Sequence, residues 1–106
     1  MSNVYSTLFI AARGVGVSAA YVVPAGKVAV LRDMDFYVGT RAVGAHIDVE
    51  DTTTSTVIYF LQPGADNTWY SWRGRQVFPA GATLLANIGG VSDASARASG
   101  YLLDLP

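Results

Sequence analysis

Alternation, not helical spacing, runs through almost the whole chain. In "KVAVLRDMDFYV" (27–38) one parity carries Val28, Val30, Arg32, Met34, Phe36 and Val38, and the other Lys27, Ala29, Leu31, Asp33, Asp35 and Tyr37. Apart from Arg32, the first set reads as a core face and the second as a more polar face, the period-2 signature of a half-buried strand. "AHIDVED" repeats it, with Ile47 and Val49 on one side and His46, Asp48 and Glu50 on the other. "STVIYFLQ" is β-branched and aromatic throughout, which suits a strand covered on both faces. "NTWYSWRGRQVF" sets Tyr70, Trp72, Gly74 and Gln76 against Trp69, Ser71, Arg73 and Arg75. "ATLLANI" groups Leu84, Ala86 and Ile88, "SARASGYLLDL" closes the chain, and "NVYSTLFIAAR" with "SAAYVV" supplies a first pair of strands.

About eight strands result, separated by the turn chemistry of "RGVGVS", "PAGK", "GTRAVG", "DTTT", "PGADN", "PAGA" and "GGVSD". With no helical segment between them, the chain is expected to be all-β, an antiparallel sandwich of jelly-roll type. Residues 1–106 form a single domain, with 1–20 as an N-terminal arm or first strand. One corner is written twice: "VPAG" ends at Gly26 and "FPAG" at Gly81. Pro24 and Pro79 fix φ and lack a donor, so each belongs at a strand's end or a turn's second position, and Gly26 and Gly81 supply a positive φ two residues on. Two Greek-key halves packed face to face would place such corners equivalently.

Charge changes the picture. Only 14% of the 106 residues are charged, against about 25% in ordinary soluble domains, although 51% are hydrophobic. Seven basic and eight acidic residues leave a net charge of −1, with no basic stripe for nucleic acid or a membrane surface. The apolar run "TLFIAA" is far too short to span a bilayer, and no basic segment precedes it as in a signal peptide. There is no cysteine, hence no disulfide or thiolate chemistry. A weakly charged exterior suits a subunit covered by other protein, which predicts a homo-oligomer.

The candidate chemistry is sparse. His46, the only histidine, has Asp48 two residues on, but no nucleophile motif accompanies them, so a solvent-facing strand histidine is the expectation and no enzyme is read. Asp33 and Asp35 share a face and, with Asp48 on a neighbouring strand, would make a cation site; a polar strand face beside Lys27 and Arg32 accounts for them without a metal. "RGVGVS" lacks phosphate-loop spacing and reads as a turn. "WYSWRGR" is the most unusual stretch. Trp69, Tyr70, Trp72, Arg73 and Arg75 are residue types enriched at protein interfaces, while core packing or stacking on sugars or bases would use the same aromatics. Trp69 and Trp72 differ in parity, so a stacking platform would need a bulge, which Gly74 would support. No cofactor is expected.

"YVVPAGKVAVLRDMDFYVG", the later "VFPAGATLLANIGG" and the closing "ASARASGYLL" resemble the small β-sandwich structural proteins of tailed-bacteriophage virions. The resemblance spans residues 21–105 and is carried by turn chemistry and small side chains. It implies a repeated virion component, such as a head-decoration or head-fibre protein or a tail or collar accessory, commonly trimeric and without catalytic residues. Its implied partners are copies of itself and the major capsid or other virion proteins, not nucleic acid or a membrane. A carbohydrate- or receptor-binding module built on Trp69, Tyr70, Trp72 and Arg73 is the second reading.

Overall fold

The alternating segments become eight strands in the computed structural model, which describes residues 7–105: β1 Thr7–Gly14, β2 Val17–Val22, β3 Lys27–Val38, β4 Arg41–Asp51, β5 Thr56–Leu61, β6 Thr68–Phe78, β7 Thr83–Val91 and β8 Ala94–Asp104. They form two antiparallel sheets, ordered β1-β8-β3-β6 and β2-β7-β4-β5. The pairings β1 with β8, β2 with β7, β3 with β6 and β4 with β5 are nested. The chain is therefore one long hairpin with its tip at 52–55, rolled up so that successive rungs alternate between the sheets. This is the jelly-roll arrangement. The expected first pair is split: β1 and β2 lie in different sheets. Residues 7–20 belong to the sandwich, and an arm at 1–6 lies outside the described residues.

The rolled hairpin explains the repeated corner. Where the outgoing leg crosses from one sheet to the other, between β2 and β3, the returning leg must cross back beside it, between β6 and β7. The two corners accordingly touch: Val23 donates its amide N–H to the Ala82 carbonyl, and Gly81 donates to the Val23 carbonyl, both at 2.9 Å. Each corner is a turn closed onto its proline carbonyl, by Lys27 N–H at 3.2 Å and by Ala82 N–H at 3.1 Å. Proline thus takes the first position of each turn, not the second, and glycine the third, where a type II turn requires positive φ. Gly26 has φ +77° and Gly81 φ +82°. A Cβ at either would meet nothing within 4 Å, so substitution costs backbone strain alone. Gly26→Val and Gly81→Val are each expected to lower stability by about 1 kcal/mol or more, read as a shift in denaturant midpoint. An unchanged midpoint in both would overturn this account of the corners.

Arg32, the one polar interruption of β3, marks a break in the period. Between the same two rungs β8 inserts no residue, β3 inserts Arg32, and β6 inserts Gly74 and Arg75. The sheet fans open from β8 towards its β6 edge, and Arg32 donates from Nε to the Gly74 carbonyl at 3.0 Å. One extra residue reverses the inward face. Met34, Phe36 and Val38 point into the core as expected, but before the bulge Ala29 and Leu31 point in, Val28 turns to the outer face, and Val30, although buried at 2% exposure, stays outside the inter-sheet cluster.

The core fills the space between the sheets. Leu31, Met34, Phe36 and Val38 meet Ile47, Val49, Leu84 and Ile88 from the other sheet. β8 contributes Ala94, Ala96 and Ala98, small side chains that leave room for the larger row of β7. Phe9 and Tyr21 close one flank with ring centroids 4.8 Å apart. Phe36 and Tyr59 stack at 5.7 Å towards the other flank, where Leu61, Tyr70 and Trp72 also pack. "STVIYFLQ" differs from expectation. As β5 it is an edge strand covered on one face, with Val57 and Phe60 exposed. Its apolar outer residues had suggested burial that a terminal position in the sheet does not provide.

Candidate functional site

Residues with chemical character gather on the outer faces of the sheets. On the β1-β8-β3-β6 sheet two neighbouring rungs run Arg13–Ser95–Tyr37–Trp69 and Ala11–Arg97–Asp35–Ser71. Trp69 is 62% exposed, and its ring lies 5.3 Å from that of Tyr37 in a tilted arrangement. At the far end Arg13 pairs with Asp93 at 3.0 Å. Asp33 and Asp35 are held by Arg73, at 3.2 and 3.0 Å, and Ser71 Oγ donates to Asp35 at 2.8 Å. Arg73 therefore plays the part expected of Lys27 and Arg32. Lys27 pairs with Asp104 instead. Asp48 lies on the other sheet, so the three carboxylates never converge, and among the described residues no group of three acidic or histidine side chains is placed to hold a metal.

The aromatic stretch is divided by its strand. Trp69 and Arg73 face outwards, and Arg75 is exposed in the bulge. Tyr70 and Trp72 turn inwards and pack against the core. Trp72 lies across Gly74, where a Cβ would come within 2.8 Å of its ring. Gly74 thus accommodates an inward ring instead of aligning two tryptophans in one platform. The five residues do not share one face of the sheet. Tyr37, Ser95, Arg13 and Arg97 are the partners that sequence reading missed: they come from three other strands, and only the register brings them beside Trp69.

The ionic contacts predict a pH response. The Ser71 hydroxyl holds the Asp35 carboxyl below its ordinary range, burial opposes it, and Arg73 adds to the lowering; Arg41 does the same for Asp66. A carboxyl more acidic when folded stabilises above its unfolded pKa of about 3.9, and that contribution is lost as pH falls through the folded value. Thermal melts taken downwards from neutral pH should show the loss beginning only in the carboxylate range. Asp35→Asn should flatten it; curves parallel to wild type would remove Asp35 as a contributor.

The other sheet carries His46, Asp48 and Glu50 along the outer face of β4. Residues 42–45 loop out of β4 opposite Gly90, so "GTRAVG" is only partly the expected turn: Arg41 already pairs with Val91. A cavity of about 890 Å³ lies beside this excursion, lined by Thr40, His46, Asn87, Ser92 and glycine backbone. His46 Nδ1 donates to the Gly44 carbonyl at 2.9 Å, not to Asp48. Arg41 at its rim is tied to Asp66 at 2.8 Å and to the Pro63 carbonyl.

Fold and surface together define a jelly-roll β-sandwich whose polar chemistry is displayed on the outer faces of both sheets. No family model matches the chain, and neither a curated protein nor a solved structure matches it.

Proposed function

We propose that this chain is a non-enzymatic structural subunit of a bacteriophage virion, a capsid-decorating or head-fibre protein that works as a homotrimer. The observation that carries the assembly is a separation of unpaired charge. Among the described residues, the acids without an ion pair, Asp48, Glu50 and Asp51, all lie on β4 in one sheet. Arg32, Arg75 and Arg97, the arginines without one, all lie on the other.

Beside the acids, β5 exposes Val57 and Phe60 at 58% and 56%, within a segment (52–65) that has no charged residue. Asp51 is buried and accepts the Thr53 amide N–H, so Asp48 and Glu50 with the β5 side chains form the face that complements the Arg32 and Arg75 edge on the next copy. Such a head-to-tail contact is heterologous, and it closes a ring when the rotation permits. The weak overall charge and the resemblance to virion sandwich proteins support the same reading.

Native mass spectrometry at micromolar concentration should give a trimer. Glu50→Arg should yield monomer, and adding Arg75→Glu should restore assembly. Monomer alone in the wild type would sink the assembly. Failure to co-sediment with heads built from the cognate major capsid protein would sink the virion assignment.

A further inference from the structure

We infer that the outer face of the β1-β8-β3-β6 sheet carries a binding groove for a neutral oligosaccharide, floored by Ser95 and walled by Trp69. This goes beyond the structural role and uses a different part of the surface from the proposed ring contact. Openings of about 500 and 300 Å³ share Arg13, Trp69 and Ser95 and therefore adjoin. Their size suits a small ligand.

Neighbouring strands stand about 4.8 Å apart, so a short serine on β8 between tall side chains of the flanking strands leaves a trough along β8. One wall is aromatic, Trp69 braced by Tyr37 at 5.3 Å. An indole exposed to water on a sheet face offers an apolar plane to the C–H face of a pyranose. The other wall is the Arg13–Asp93 pair, at 3.0 Å. Arg97 rises from the adjacent rung with no ion-pair partner among the described residues, and its five N–H donors are open to ring and exocyclic hydroxyls.

The lining decides the class of ligand. Arg13 and Arg97 share the lining with Asp93 and Asp35, so a sulfated or sialylated glycan would meet a carboxylate beside each arginine. Between the walls lie alanine and serine, small side chains that leave the floor shallow. Hydroxyl groups, which donate and accept together, match a surface of neighbouring cations and carboxylates beside one aromatic plane.

The test is an array of immobilised neutral gluco-, galacto-, manno- and N-acetylhexosamine oligosaccharides, with sialylated and sulfated glycans alongside, followed by titration calorimetry with the best neutral glycan. At least one neutral class should bind. Trp69→Ala and Arg97→Ala, both at exposed positions, should melt as wild type and bind at least about tenfold more weakly. Trp72→Phe, on the inward face, should bind as wild type. Absence of neutral-glycan binding at millimolar concentration, binding confined to anionic glycans, or full affinity in a folded Trp69→Ala would each overturn the assignment.

Discussion

Gly100→Ala is expected to be the most damaging single methyl group that can be added to this protein. Gly100 sits in β8 opposite Leu31, on the rung where β8 and β3 pinch together before the sheet fans open. A Cβ there would fall inside the van der Waals surface of the Val30 carbonyl oxygen, 2.9 Å from the Val30 carbonyl carbon and 3.1 Å from the Phe9 ring. A side chain can rotate away from such a clash, but a backbone carbonyl in a ladder cannot. The central strands must separate, which also breaks their hydrogen bonds. Overpacking of this kind costs about 3 kcal/mol or more, from a total of about 5–15 kcal/mol for a domain. Thermal melting followed by circular dichroism should fall by more than about 12 °C. Gly64→Ala is the control, because a Cβ at Gly64 meets nothing within 4 Å and its φ needs no glycine. Equal melting of the two variants would mean that β8 and β3 do not approach as described.

Phe36→Ala should produce a loss of similar size from the opposite cause. Phe36 is 1% exposed and stacks on Tyr59 across the sandwich, so its ring joins the sheets near their β5–β6 flank. Truncation leaves a cavity that stiff strands fill only in part, at about 3–5 kcal/mol. Chemical denaturation should show the midpoint falling with the slope retained, since the folded state keeps its extent. Val22→Ala, on the outer face of β2 and 59% exposed, should change stability by about 0.5 kcal/mol at most. If Phe36→Ala were tolerated while Val22→Ala unfolded the protein, the faces of the sandwich would be exchanged.

The surface was less legible than the core. "WYSWRGR" stood out by composition, and its parity correctly separated Trp69 from Trp72. What it did not contain was the rest of the groove: Tyr37, Ser95, Arg97 and Arg13 are distributed over three strands far apart in the chain. Asp33 and Asp35 read correctly as a polar face, yet Lys27 and Arg32 were nearer in sequence than Arg73, the partner that cross-strand pairing delivers.

The sequence by itself determined what local chemistry determines. Period-2 patterning set all eight strands, proline followed by glycine set the two corners, and Ile47, Val49, Met34 and Phe36 were assigned to the core because burial is written into their parity. Tertiary structure decided whatever depends on which strand lies beside which. It made "TVIYFL" an edge instead of a covered strand, because an apolar run carries no mark of its place in a sheet. It turned Arg32 from an exception into a bulge and took Val28 and the still buried Val30 out of the inter-sheet cluster, since one inserted residue reverses every inward position beyond it. It also set the two corners against each other, because only the rolled hairpin brings its outgoing and returning legs to the same place.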